Sequence, residues 1–86
     1  MSYAIILPEN IQKSLNKLPE KTKIRIVQKL YDIRDDPFRY VIPVKGSDYH
    51  RLRVGNFRII MSIERCKLII IVMKIDNRDR LYDHLN

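Results

Sequence analysis

The stretch YHRLRVGNFRII, residues 49–60, restricts the folds open to this chain more than any other. Apolar and polar side chains alternate on both sides of Gly55-Asn56. Gly-Asn between alternating runs is a two-residue β-hairpin signal, with the glycine in the positive-φ position. A two-residue loop there pairs Val54 with Phe57, Arg53 with Arg58, Leu52 with Ile59 and Arg51 with Ile60. Paired residues share a face, and neighbours along a strand alternate. Leu52, Val54, Phe57, Ile59 and Met61 therefore form one apolar face. Arg51, Arg53 and Arg58 fall together on the other.

The pattern continues downstream. FRIIMSI leads to a polar turn, ERCK, and KLIIIVMKI follows as a third strand that runs to DNR. Pairing across this turn sets Ile63 opposite Leu68, Met61 opposite Ile70 and Ile59 opposite Val72, so Leu68, Ile70 and Val72 extend the apolar face. The arginine face then also carries Ile60, Ile69, Ile71 and Met73. That is too much apolar surface to leave bare beside a basic patch. The first strand, the C-terminal tail or a partner protein is expected to cover it.

Upstream, YAIIL (residues 3–7) reads as a strand stopped by Pro8. PENIQKSLNKL follows as a short helix with Ile11, Leu15 and Leu18 in one stripe. Pro19 opens a second helix, in which Ile26, Val27, Leu30 and Ile33 share a face. Lys21, Lys23, Arg25 and Lys29 lie mostly off that face. Asp35-Asp36-Pro37 is expected to end it, because a residue before proline avoids the helical region. So few residues join the two helices that they form an antiparallel hairpin, apolar side to the sheet. Residues 38–47 read as a connection, and the last eight residues are too few to assign. The expected class is α+β. It comprises a small antiparallel sheet with an N-terminal strand, a two-helix hairpin on one face and a C-terminal three-stranded meander.

Eighty-six residues make one domain, 1–86. With 45% apolar and 31% charged residues the chain has a globular composition. No apolar run approaches membrane-helix length, and the N-terminus lacks a signal-peptide pattern. A single cysteine, Cys66, excludes an internal disulfide, and a cytoplasmic protein is expected. Cys66 lies between Arg65 and Lys67, with no obvious base near it in sequence, so it is not a catalytic candidate. The net charge of +7 favours polyanions: nucleic acid, an anionic membrane or an acidic partner.

Arg53 facing Arg58 is costly, since like charges opposite one another destabilise a sheet. Two readings stand. The arginines either reach into water or hold an anion, and their planar, permanently charged forks suit phosphate. His50 alternates toward the apolar face and reads as structural.

The segments YAIILPENIQKSLNKLPEKTKIRIVQKLYDIRDDP, VKGSDYHRLRVGNFRIIMSI and LIIIVMKIDNRDRLY together resemble the RelE toxins of the RelE/ParE superfamily. YHRLRVGNFRII with NRDRLY downstream is the most specific part. The resemblance implies a RelE-like fold and a type II toxin that cuts messenger RNA in the ribosomal A site. The reaction it implies uses no metal or cofactor: the RNA's 2′-hydroxyl attacks the adjacent phosphate. It also implies a RelB-like antitoxin partner, a toxin–antitoxin hetero-oligomer and no membrane association. Carried over by position, Arg51 and Arg53 grip the phosphate, and Lys45 joins them as a phosphate-binding candidate. Arg58 stabilises the charged transition state, Arg78 sits near the leaving oxygen, and Tyr82 takes the 2′-hydroxyl proton. His84, two residues beyond, is a further acid–base candidate.

Preplaced guanidiniums suit the charge that builds on a phosphoryl group in its transition state. Tyrosine is a poor base with its ordinary pKa of about 10, although neighbouring cations favour the phenolate. Unbroken alternation from Val72 puts position 78 on the buried face. An end or a bulge at Asp76-Asn77 is needed there, and only the resemblance brings Arg78 to the site. Two other functions share the fold: a ParE-like gyrase inhibitor, and a catalytically degenerate RNA-binding member. ParE-like proteins generally lack the full set of Arg51, Arg53, Arg58, Arg78 and Tyr82.

Overall fold

Apolar periodicity and two prolines set the first half of the chain. The computed structural model describes residues 2–77. Strand β1, Ala4–Ile6, leads into helix α1, Glu9–Asn16, and helix α2, Glu20–Asp32. Pro8 and Pro19 stand at the two N-caps with extended backbones, and a glutamate begins each helix, where its charge complements the helix dipole. Lys23 Nζ donates to Asn16 Oδ1 at 2.7 Å and ties the two helices together. Helix α2 stops at Asp32, short of the Asp35-Asp36-Pro37 stop, and Ile33 caps it. Pro37 opens a single 3₁₀ turn, Pro37–Arg39, instead.

The second half is β2, Ile42–Pro43; β3, His50–Val54; β4, Phe57–Glu64; and β5, Ile69–Asn77. The five strands run in the order β1-β5-β4-β3-β2. The class is α+β, and the sheet is mixed. β1 lies parallel to β5, with Ala4 opposite Ile69 and Ile6 opposite Ile71, while the other pairings are antiparallel. β2 lies within the segment read as a connection. It is two residues long and contains Pro43, which suits it to an edge.

The β3–β4 hairpin has the expected register throughout, from Val54 opposite Phe57 to Arg51 opposite Ile60. Gly55 has φ +58° and Asn56 stays out of the positive-φ region, the pattern of a type II′ turn. The β4–β5 register differs from expectation by two residues at first: Ile63 faces Ile70 and Met61 faces Val72. The reason is a longer turn. Residues 65–68 all lie in it, and Leu68 closes it in the left-handed region at φ +53° instead of entering the strand. A shift of two preserves the faces.

Ile11 and Leu15 of α1 and Ile26, Leu30 and Ile33 at α2 meet Leu52, Val54, Ile59, Met61, Ile70 and Val72 of the sheet. Each such side chain contributes about 1.5–3 kcal/mol by leaving water. The helices cover this face alone. β1 extends the sheet at its edge and does not lie over the opposite face, where Ile6 and Met73 are exposed. Among the described residues no helix is long and apolar enough to cross a membrane.

Candidate anion-binding site

The register of β3 and β4 gathers the three arginines. Arg51, Arg53 and Arg58 line one groove on the helix-free face, together with Tyr40 and Ile42. Ile42 arrives because β2 pairs it with Arg51. Tyr40, an exposed residue, arrives from the turn that follows the 3₁₀ segment. Arg53 is exposed, while Arg51 and Arg58 are half-buried. The groove is therefore walled by guanidiniums on one side and by an aromatic and an aliphatic side chain on the other.

Arg58 is the most constrained of the three. Its neighbour on β3 is Arg53 and its neighbour on β5 is Asp76. Arg58 Nη2 lies 3.5 Å from Asp76 Oδ2, and each side chain is about one third exposed. Arg58 Nε is buried without a hydrogen-bond partner among the described residues. The carboxylate offsets part of the repulsion from Arg53 and draws the guanidinium toward β5. A pair this exposed contributes at most about 1 kcal/mol after solvent screening, so its main effect is directional.

A bulge brings Asp76 to this face. Met61 faces Val72, but Ile60 faces Lys74, so Met73 is an extra residue on β5. Past it the alternation changes phase: Lys74 and Asp76 turn to the arginine face and Ile75 faces Ile59. The sequence holds a sign of this. Unbroken alternation would send Lys74 and Asp76 to the buried face of Val72, an unfavourable place for two charges. The bulge falls at Met73, earlier than the Asp76-Asn77 position expected for a break, and β5 continues to Asn77. The count that sends position 78 inward rests on unbroken alternation, which β5 lacks.

Lys45 is not brought to the groove. It is exposed in the β2–β3 loop, where Val44 N–H donates to the Tyr49 carbonyl at 2.9 Å and Gly46 takes φ +80°. His50 stacks edge-on against Phe38, 5.3 Å between ring centroids, which fits a structural role. Its Nδ1 is buried without a partner among the described residues. Arg65 lies 4.0 Å over the same Phe38 ring, and Cys66 is exposed in the turn. Arg78, Tyr82 and His84 lie outside the described residues. Among the described residues no cluster of His, Cys, Asp or Glu is arranged to hold a metal ion.

Sequence reasoning found the arginines but missed Tyr40, Ile42 and Asp76. The first two sit in irregular chain and a two-residue strand, which leave no periodic signal. The groove can bind an oxyanion with several charge-assisted hydrogen bonds and place an aromatic ring beside whatever the anion is attached to.

No protein-family model and no curated protein sequence matches the chain. Solved structures do. The RelBE2 toxin–antitoxin complex of Mycobacterium tuberculosis contains a chain that matches with TM-score 0.83 and 20% identity, over 91% of this chain and 100% of that one. The archaeal RelE-RelB complex of Pyrococcus horikoshii matches with TM-score 0.80 and 25% identity, over 93% and 99%. The isolated RelE toxin of Escherichia coli matches with TM-score 0.72 and 16% identity, over 98% and 95%. The likeness spans more than nine-tenths of the chain in each case and is one of fold.

Proposed function

We propose that this chain, which has the RelE fold, is the toxin of a type II toxin–antitoxin pair and an endoribonuclease acting on messenger RNA in the ribosomal A site. The groove formed by Arg51, Arg53 and Arg58 carries this reading. Three guanidiniums on one sheet face, two of them directly opposite, call for a bound anion. A phosphodiester supplies one.

In the reaction, the 2′-hydroxyl oxygen of one nucleotide attacks its own 3′-phosphorus. The bond from phosphorus to the next nucleotide's 5′-oxygen breaks. The products are a 2′,3′-cyclic phosphate and a 5′-hydroxyl, with one proton removed and one delivered. Arg51 and Arg53 bind the phosphate. Arg58, aimed by Asp76, meets the added negative charge of the five-coordinate phosphorus. One such donor is worth roughly 2–4 kcal/mol in the transition state. Tyr82, with His84 as a further candidate, takes the 2′-hydroxyl proton, and Arg78 stabilises the leaving oxygen. None of these steps draws on a metal or a cofactor. Lys45 is a remote phosphate contact at most, given its place in the β2–β3 loop.

The partner follows from the rest of the same face. Ile6, Ile71 and Met73 lie on the same face of the sheet as the arginines, toward the β1 edge, the first and last of them exposed. A RelB-like antitoxin, acidic and with an amphipathic segment, would cover the apolar part and neutralise the basic part together. The known neighbours include RelB–RelE pairs, which supports this choice.

Expression of the chain alone, followed by mapping of messenger RNA 5′ ends, tests the reading. In-frame cuts within codons are expected, and Arg58→Ala should remove them while the protein stays folded. Intact messages accompanied by DNA damage would replace the nuclease with a gyrase inhibitor. Intact messages without DNA damage would indicate a degenerate member.

A further inference from the structure

Arg53 belongs to two grooves. On one side it meets Arg51, Arg58 and Tyr40; on the other it borders Arg25, Gln28 and Lys29 of α2, beside the Gly55 turn. A second link joins the grooves: Lys29 Nζ lies 5.1 Å from the centroid of the Tyr40 ring. The basic surface is thus continuous from the helix-free face of the sheet round to α2.

The sheet edge leaves this route open. β2 pairs only with His50 and Arg51, so among the described residues the Arg53–Val54 end of β3 has no strand on the side away from β4. Arg25 is held across the turn: a Cβ on Gly55 would sit 3.0 Å from Arg25 Nη1. Arg25, Lys29 and Arg53 form no ion pair with any described residue. Asp32, accepting from Gln28 Nε2 at 3.4 Å, is the one carboxylate among the described residues that borders the second groove.

We propose that single-stranded RNA bound at the arginine groove passes over the open end of β3 and sets a second phosphate between Arg25 and Lys29, with the Tyr40 ring stacking on an intervening base. This inference rests on the RNA-binding reading of the arginine groove. Alternating cations and an exposed aromatic ring are what a single strand needs: charge for its backbone and a flat face for its bases. An acidic polypeptide would use the charge but not the ring.

The test is the salt dependence of binding to an oligouridylate of about a dozen nucleotides, which spans both grooves. Each phosphate contact on a single strand contributes about −0.7 to the slope of log K against log[salt]. Arg25→Gln with Lys29→Gln removes the one phosphate contact of the second groove and should make the slope shallower by about 0.7, and Lys29→Gln alone by part of that. The single variant leaves Arg25 on Gly55, so it reads the contact even if the double variant unfolds. Tyr40→Leu should weaken binding without changing the slope. A dinucleotide, long enough only for the arginine groove, should bind the Arg25 and Lys29 variants and the parent chain equally. An unchanged slope in Lys29→Gln overturns the proposal, as does weakened binding of poly-glutamate with no change toward RNA. If the parent chain binds no RNA, the reading of the arginine groove fails as well. If Arg53→Gln loses RNA while Lys29→Gln does not, only the second phosphate fails.

Discussion

The Arg58 guanidinium stands 3.5 Å from the Asp76 carboxylate, with Arg53 on its other flank. A carboxylate beside three arginines trims the positive field and gives one guanidinium a preferred direction. Its removal should have two opposite effects. Asp76→Asn should bind RNA about two- to fivefold more tightly at low salt, an advantage lost near molar salt, where surface charges are screened. It should also lower stability by up to about 1 kcal/mol, or roughly 4–8 °C in Tm. Added sulfate should raise the Tm of Asp76→Asn more than that of the parent chain. Equal or weaker RNA binding in the variant would remove Asp76 from the site's electrostatics.

Arg58→Lys retains the charge and loses the planar fork. Cleavage should fall about 10²-fold or more, comparable with the loss of one oxyanion donor, while RNA affinity changes little. Single-turnover kinetics on programmed ribosomes separate the two quantities. A lysine variant that cleaves at the parental rate would mean that only charge matters at this position.

Adjacent residues of β5 should respond oppositely to one change. Ile70 is wholly buried in the core, whereas Ile71 faces away from the helices, opposite Ser62 and Ile6. Ile70→Ala should cost about 2–5 kcal/mol, enough to unfold much of a domain this small. Ile71→Ser should leave the melting temperature within a few degrees of the parent and weaken capture by the proposed antitoxin. Thermal denaturation and co-purification with the antitoxin read the two effects. Equal destabilisation by both changes would contradict the division of faces.

Gly55 carries two constraints, φ +58° and the Arg25 side chain above it. Gly55→Val should destabilise by about 2 kcal/mol, from left-handed strain plus displacement of Arg25. Gly55→Asn should cost less, since asparagine tolerates that region. Chemical denaturation measures both. A neutral Gly55→Val would mean that the turn can adopt another form.

How much of this was legible in the sequence varied with how strongly each segment alternates. Around Gly55-Asn56 a short polar turn separates two alternating runs, so the register and the three arginines could be placed residue by residue. The third strand was harder. LIIIVM is apolar at every position, and such a run fits either face in either register. The two-residue shift, the turn closed by Leu68 and the bulge at Met73 all fall in or beside it. The parallel pairing of β1 was hidden for the same reason, since Ile5 and Ile6 are apolar on both faces. Tyr40 and Ile42 could not be placed because irregular backbone carries no period.

Met73 acts like a single-letter insertion in a two-letter reading frame. Upstream of it, β5 is read as inside at even positions; downstream, Lys74 and Asp76 are read as outside. One residue therefore decides which side of the sheet receives Lys74, Ile75 and Asp76. Deletion of Met73 should straighten β5 and keep Lys74 opposite Ile60, Ile75 opposite Ile59 and Asp76 opposite Arg58, because only the extra residue is lost.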